Sequence, residues 1–415
     1  MTVTAPLLLA CICTALVFQL AVGIGVAVLR RRGGAAARTA VGRDITTPRI
    51  GSGAWPGWRE FRVTRREFED RAHTQCSFYL EPIDATSLPP FRPGQFLTFT
   101  LQVAWEQGGE RTVTRCYSLS DPPKSTSYRV TVKRVLAPAG RPELPAGVSS
   151  NHFHDRVHEG DVLRVKAPSG NFCIDPEPNV SAVLIAGGIG ITPLMSMLQW
   201  CLGEQPQRTV HLYYGLRHGD EHVFKQALGE LGSSHPNFHL NVVYSQPGIN
   251  DVQGRDFHHA GHVNVELLRR TLPHGRHQFY VCGPPPMMES LVPALRDWAV
   301  IEEDIHYEAF GPASVRSAHV SSNERATTGA VPFEVRFQRA GRTLSWDGTD
   351  ASLLDFGQRH GVALDSGCRA GSCGSCETRL ISGTVRYAHK PDYDFPSGTC
   401  LLCVGTPESA LVLDA

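Results

Sequence analysis

Three cysteines, Cys368, Cys373 and Cys376, stand at Cys-x4-Cys-x2-Cys within the run GCRAGSCGSC, residues 367–376, and no other feature constrains the chain so tightly. At this spacing thiolates hold a 2Fe-2S cluster in a tight loop whose glycines let backbone N–H groups point at the sulfurs. Gly367, Gly371 and Gly374 stand where such a loop needs them. A zinc site or a disulfide is the plainer alternative. Zinc knuckles, however, favour paired Cys-x2-Cys units, and the other motifs of the chain imply a reducing compartment. The fourth ligand is left open between Cys400 and Cys403, both in CLLCVGTP.

At 415 residues the chain is too long for one ordinary core, and two to four domains are expected. Its 40 basic and 40 acidic residues balance, with no basic block beyond a short one near the start, so composition gives nucleic acid binding no support. Of twelve cysteines, four cluster at one site; scattered ones such as Cys76, Cys173 and Cys201 read as small buried apolar residues.

Residues 7–29 carry no charge, and at about 1.5 Å per residue they can cross a bilayer core of roughly 30 Å. No positive region precedes them and no small-residue cleavage site follows, which argues against a signal peptide. Arg30, Arg31 and Arg32 follow at once, so the expectation is a transmembrane anchor over 1–32 with everything downstream cytoplasmic. The Gly/Ala-rich stretch after it reads as a tether over 33–57.

Six short alternating runs then follow, FRVTRREF, TQCSFYLE, QFLTFTLQ, RTVTRCYSLS, YRVTVKRVL and DVLRVKAP, separated by Pro and Gly turns. They predict an antiparallel β-barrel over 58–178. From residue 179 to 312 strands alternate with helices, as SAVLIAG, a helix to Trp200, VHLYYG, a helix near Glu221 to Leu231, LNVVYS and QFYVCG. That order predicts a doubly wound α/β domain with a parallel sheet. Its first turn, AGGIGITPL, sets glycines between strand and helix, where a pyrophosphate can approach the backbone. A Ser/Ala/Thr-rich linker spans 313–330, and the strand pair, helix and cysteine loop of 331–415 suggest a β-grasp (α+β) domain. His152, His154 and His158 read as surface or capping residues rather than metal ligands.

RCYSLS resembles the flavin signature of the ferredoxin reductase superfamily, and the resemblance extends over the barrel and the domain after it. It implies that Arg115 pairs with the flavin diphosphate, that the Tyr117 ring lies against the isoalloxazine and that the Ser118 hydroxyl reaches the reactive flavin nitrogen. Guanidinium suits a phosphate fork and an aromatic face suits a flat ring. Gly147, Val148 and Ser149 resemble the family's helix start that faces the diphosphate, which favours FAD over FMN. Gly187, Gly188, Gly190, Thr192 and Pro193 match its nicotinamide-binding turn, and YYGLR supplies Gly215 and Arg217. YVCGPPPMM supplies Cys282 and Gly283, and HYEAFG supplies Glu308 and Phe310. Ser118, Cys282 and Glu308 are thereby expected around the point of hydride transfer. Where NADPH users often place Ser-Arg this chain has Ser245 and Gln246, which favours NADH, although Arg217 or Arg255 remain candidates for a phosphate.

The last eighty or so residues resemble a plant-type ferredoxin domain, whose final ligand closes an apolar strand shortly before a proline. Cys403, before Pro407, fits that better than Cys400, at an interval somewhat below the family's usual one. The domain order resembles reductase components of Rieske-type oxygenase systems and the reductase of hybrid-cluster protein. It implies an NAD(P)H oxidoreductase passing electrons through FAD and a 2Fe-2S cluster to a protein acceptor of oxygenase or hybrid-cluster type, at a bacterial inner membrane. A membrane quinone or ferric reductase and a non-catalytic redox sensor are the alternatives.

Overall fold

The computed structural model describes residues 55, 57–104, 108–137, 146–310 and 333–415, apart from 370, 372, 389, 390, 392 and 394. The anchor, nearly all of the tether and the 313–330 linker lie outside the described residues. Among the described residues no helix is long and apolar enough to cross a membrane.

The alternating runs become β1 (Arg59–Phe68), β2 (Gln75–Pro82), β3 (Phe96–Ala104), β4 (Glu110–Ser118), β5 (Tyr128–Lys133) and β6 (Val162–Ser169). Their sheet order is β4-β3-β6-β1-β2-β5, and a bridge from Leu119 to Val130 joins its two edges into a barrel. Closure turns one face of every strand inward, which is why the apolar residues recur at every second position. Helix α1 (Val148–Arg156) plugs the barrel with Phe153, whose ring centroid lies 5.1 Å from that of Phe78 and 5.4 Å from that of Phe99. Because α1 lies flat on the barrel, His154 is buried too, its Nε2 2.9 Å from the Val132 carbonyl. The expectation of a surface or capping histidine is corrected at this position.

The second sheet holds β7 (Ser181–Gly187), β8 (Val210–Leu216), β9 (Phe238–Tyr244), β10 (His259–Ala260), β11 (His277–Gly283) and β12 (Ile305–Ala309), in the order β10-β9-β8-β7-β11-β12 with every pair parallel. Helices α2 (Ile191–Glu204), α3 (Lys225–Ser234), α4 (Val265–Thr271) and α5 (Pro285–Asp297) accompany it. Alternate residues of β7 serve opposite cores: Leu184 and Ala186 join one, Val183 and Ile185 the other. Cover on both faces explains the unbroken apolar run. Helix α3 starts later than the sequence suggests, because residues 219–221 take a tight 3₁₀ turn and Phe224 then caps it at φ 57°. Strand β12 was not legible as a strand in HYEAFG, yet it carries Glu308.

The third sheet contains β13 (Phe333–Phe337), β14 (Arg342–Trp346), β15 (Glu377–Ser382), β17 (Thr399–Leu401) and β19 (Leu411–Leu413), in the order β14-β13-β19-β15-β17. β16 (Val385–Tyr387) and β18 (Gly405–Pro407) form a separate ribbon. β13 and β19 are parallel, the outer pairs are antiparallel, and α6 (Leu353–Arg359) covers the core with Leu353, Leu354 and Phe356. This is the β-grasp arrangement expected. The cysteine loop follows α6, between the helix and β15.

Candidate functional site

The two flavin motifs meet. Tyr117 at the end of β4 and Ser149 in the first turn of α1 are hydrogen-bonded through their hydroxyls at 2.8 Å. Burial is the main reason the Tyr117 hydroxyl is pushed up to about 12, so it stays protonated. Ser118 is 6 % exposed on the same strand, and the Arg115 guanidinium is held by the Thr114 carbonyl at 2.7 Å. Helix α1 has Gly147 as its N-cap, no side-chain cap and no acidic residue in its first turn. Its first N–H groups are thus left to an anion, which fits a diphosphate.

In the AGGIGITPL turn β7 passes through a 3₁₀ turn (Gly188–Gly190) into α2, again without a side-chain cap. The glycines divide their work. A Cβ on Gly190 would sit 2.1 Å from the Cys282 carbonyl oxygen, and one on Gly187 2.6 Å from Met287 Sδ. Gly188, at φ +53°, faces open space. Two of the three therefore permit close packing of the turn against β11, and Gly188 alone leaves backbone open to a ligand. Thr192 and Pro193 are buried in the first turn of α2.

Cys282 and Glu308 are register partners on β11 and β12. Cys282 is fully buried, and burial, followed by the Glu308 charge, raises its thiol well above the ordinary range. Burial also pushes the Glu308 carboxyl up to about 8, and its Oε2 is shielded from solvent without a hydrogen-bond partner. An unpartnered buried carboxyl oxygen at the C-terminal edge of a parallel sheet, where dinucleotides bind such folds, fits a ligand-facing role. Phe310 packs against the core beside it, Gly283 approaches Gly187 across the strands, and Ser118 lies on the barrel, in the other domain. Gly215 pairs with Gly187 in register. Arg217 just beyond it is bound by Glu221, its Nε 3.2 Å from the carboxylate, and Arg255 is likewise bound by Asp256.

The four cysteines form two pairs. Cys368 N–H donates to Cys373 Sγ at 3.2 Å, and Cys403 N–H donates to Cys376 Sγ at 3.4 Å. One thiol of each pair is pulled below the ordinary range, Cys373 by hydrogen bonds from Cys116 and then Cys368, Cys376 by one from Cys403. Thiolates are what a metal binds. Among the described residues no three such groups converge on one point as a single ion requires. Two thiol pairs suit a two-iron centre better than a mononuclear one. Cys400 sits instead within β17, opposite Thr378.

Residues 64–174 match the oxidoreductase FAD-binding domain, residues 184–292 the oxidoreductase NAD-binding domain and residues 335–408 the 2Fe-2S iron-sulfur cluster binding domain. The chain is 26 % identical to the solved phthalate dioxygenase reductase, covering 86 % of this chain and 98 % of that one with a TM-score of 0.50. The three matches and the likeness to phthalate dioxygenase reductase support the ferredoxin reductase superfamily. The FAD/NAD-binding domain of nitric oxide dioxygenase from Vibrio cholerae is 29 % identical, with a TM-score of 0.53 over 61 % of this chain and 99 % of that one. The flavohemoprotein of Halalkalibacterium halodurans is 39 % identical over 258 residues, 62 % of this chain and 61 % of the relative. The chain thus spans about three fifths of the length of the curated relatives it matches.

Sequence reasoning missed Cys116, Thr98 and Lys166, which bring the barrel to the cluster loop. A lone lysine and a lone threonine on alternating strands give no signal; Cys116 sits inside the flavin motif, and its contact is visible only once the third domain is in place.

Proposed function

We propose that the protein is an NAD(P)H-dependent reductase that passes electrons through FAD and a 2Fe-2S cluster to a protein acceptor, such as an oxygenase. The observation that carries this reading is the likeness to phthalate dioxygenase reductase across all three modules, together with the two thiol pairs and the joined flavin motifs. When bound, the flavin mediates between a two-electron donor and a one-electron carrier. The chain's own residues do the holding. Arg115 and the α1 N-terminus at Gly147, Val148 and Ser149 bind the diphosphate, Tyr117 supports the flat ring, and Ser118 offers its hydroxyl. The open backbone at Gly188 and the start of α2 receive the dinucleotide, while Cys282 and a protonated Glu308, backed by Phe310, line the nicotinamide face. Cys368, Cys373, Cys376 and Cys403 hold the cluster. NADH is favoured over NADPH, since Arg217 and Arg255, the cations proposed for a 2′-phosphate, are already neutralised by carboxylates.

Cys373→Ser is expected to abolish cluster absorption and reduction of a protein acceptor while leaving NADH-dependent ferricyanide reduction; loss of both would argue against a modular chain. We further propose that residues 7–29 anchor the protein in a bacterial inner membrane with its domains on the cytoplasmic side, a reading supported by the uncharged run and the arginines after it. Alkaline carbonate should then fail to release the protein from membranes, and its release would refute the anchor.

A further inference from the structure

Strand β3 lies between β4 and β6, and Thr98 on it is in register with Cys116 on one side and Lys166 on the other. Register partners project to the same face of a sheet, so the three side chains form one row across the barrel wall. That row meets the cysteine loop of the third domain. The Lys166 ammonium donates to the Cys373 carbonyl at 3.2 Å and lies 5.8 Å from the centroid of the Tyr393 ring. Tyr393 in turn closes over Gly374, where a Cβ would come within 2.3 Å of the ring. Cys116 belongs to the same row, and Thr98 Oγ1 stands 3.4 Å from its sulfur. A cysteine serving only as strand filling would have apolar neighbours; this one has a hydroxyl beside it, in a row that ends on the Cys373 carbonyl.

Resting on the reading of Cys373 as a cluster ligand, we propose that this row is the surface by which the flavin barrel tunes the iron–sulfur centre, with the Cys116 S–H donating to the Cys373 sulfur. Reduction adds negative charge that spreads onto the ligand sulfurs, so a donor aimed at one of them stabilises the reduced form more than the oxidised form. The ammonium at the Cys373 carbonyl acts in the same direction. Arg115 and Tyr117 flank Cys116 in the chain, so the segment that carries the flavin motif also touches the cluster ligand. Cys116 is a positioning residue in this account and exchanges no electrons itself.

The test compares full-length protein with Cys116→Ala, Cys116→Ser and Lys166→Met. Each is purified with its flavin absorbance as a check on folding, then followed by potentiometric titration of the cluster and by the electron paramagnetic resonance spectrum of the reduced centre. Cys116→Ala is expected to shift the cluster midpoint to a more negative value, by a threefold to tenfold change in the reduction equilibrium, about 59 mV at the upper end for a one-electron couple. Its spectrum should change, while the flavin midpoint holds. Cys116→Ser keeps a donor and should return the midpoint toward that of the parent, and Lys166→Met should shift it in the same direction as Cys116→Ala. An assembled cluster whose midpoint and spectrum are the same in Cys116→Ala as in the parent overturns the proposal alone. Parent protein that assembles no cluster overturns it together with the reading beneath it.

Discussion

Glu308 has the most exacting position in the proposed nicotinamide site, because its carboxyl is pushed up to about 8 by burial and its Oε2 has no partner. An unfolded chain releases that proton near the ordinary carboxylate value of about 4.3. Between the two values the folded protein binds one proton more than the unfolded chain does. Stability from this group is therefore full below about pH 4 and falls as pH rises toward about 8, with a slope of at most about 1.4 kcal/mol per pH unit. Glu308→Gln removes the titration and keeps the shape. Thermal unfolding compared at about pH 6 and about pH 8 should show a smaller loss in the variant than in the parent, and equal losses would mean that the carboxyl is ionised throughout.

The turn after β7 shows what a glycine pattern reveals and what it conceals. AGGIGITPL was readable as a nucleotide turn, but the sequence could not say which glycine served the ligand. That division depends on β11, which arrives about ninety residues later and sets its Cys282 carbonyl against Gly190. Gly190→Ala should cost about 2 kcal/mol or more, as an overpacked core does, whereas Gly188→Ala should cost about 1 kcal/mol for its left-handed backbone and spend its effect on dinucleotide affinity. Denaturant unfolding and NADH titration separate the two, and equal stability losses would refute the division. The strands of the barrel were legible because closure enforces a period of two. Strand β12 was not, since its five residues, Ile305–Ala309, lie at a sheet edge and are mostly half-buried. The cysteine loop was legible from spacing, which left Cys400 and Cys403 both open; β17 takes Cys400 into its ladder and sets the Cys403 N–H against the Cys376 sulfur.

Barrel and dinucleotide-binding domain are tied by Ser196, whose hydroxyl donates to the Asp121 carbonyl at 2.7 Å, and by Arg129, which is ion-paired to Asp121 and lies over Phe224 at 4.8 Å. Barrel and third domain are tied by Lys166 at the cluster loop. How the modules sit together was not readable from any motif, because each contact joins residues far apart in the chain and ordinary in type. The closed arrangement bears on maturation. Cys373, Cys376 and Cys403 are each at most 4 % exposed, and Cys376 and Cys403 lie within the third domain's own core, so iron and sulfide reach them only when that domain opens locally. Metallation must then wait for that opening: the rate of chemical reconstitution should plateau with rising iron and sulfide and quicken in mild urea, and a rate that climbs without limit would show that the thiols stay open to solvent.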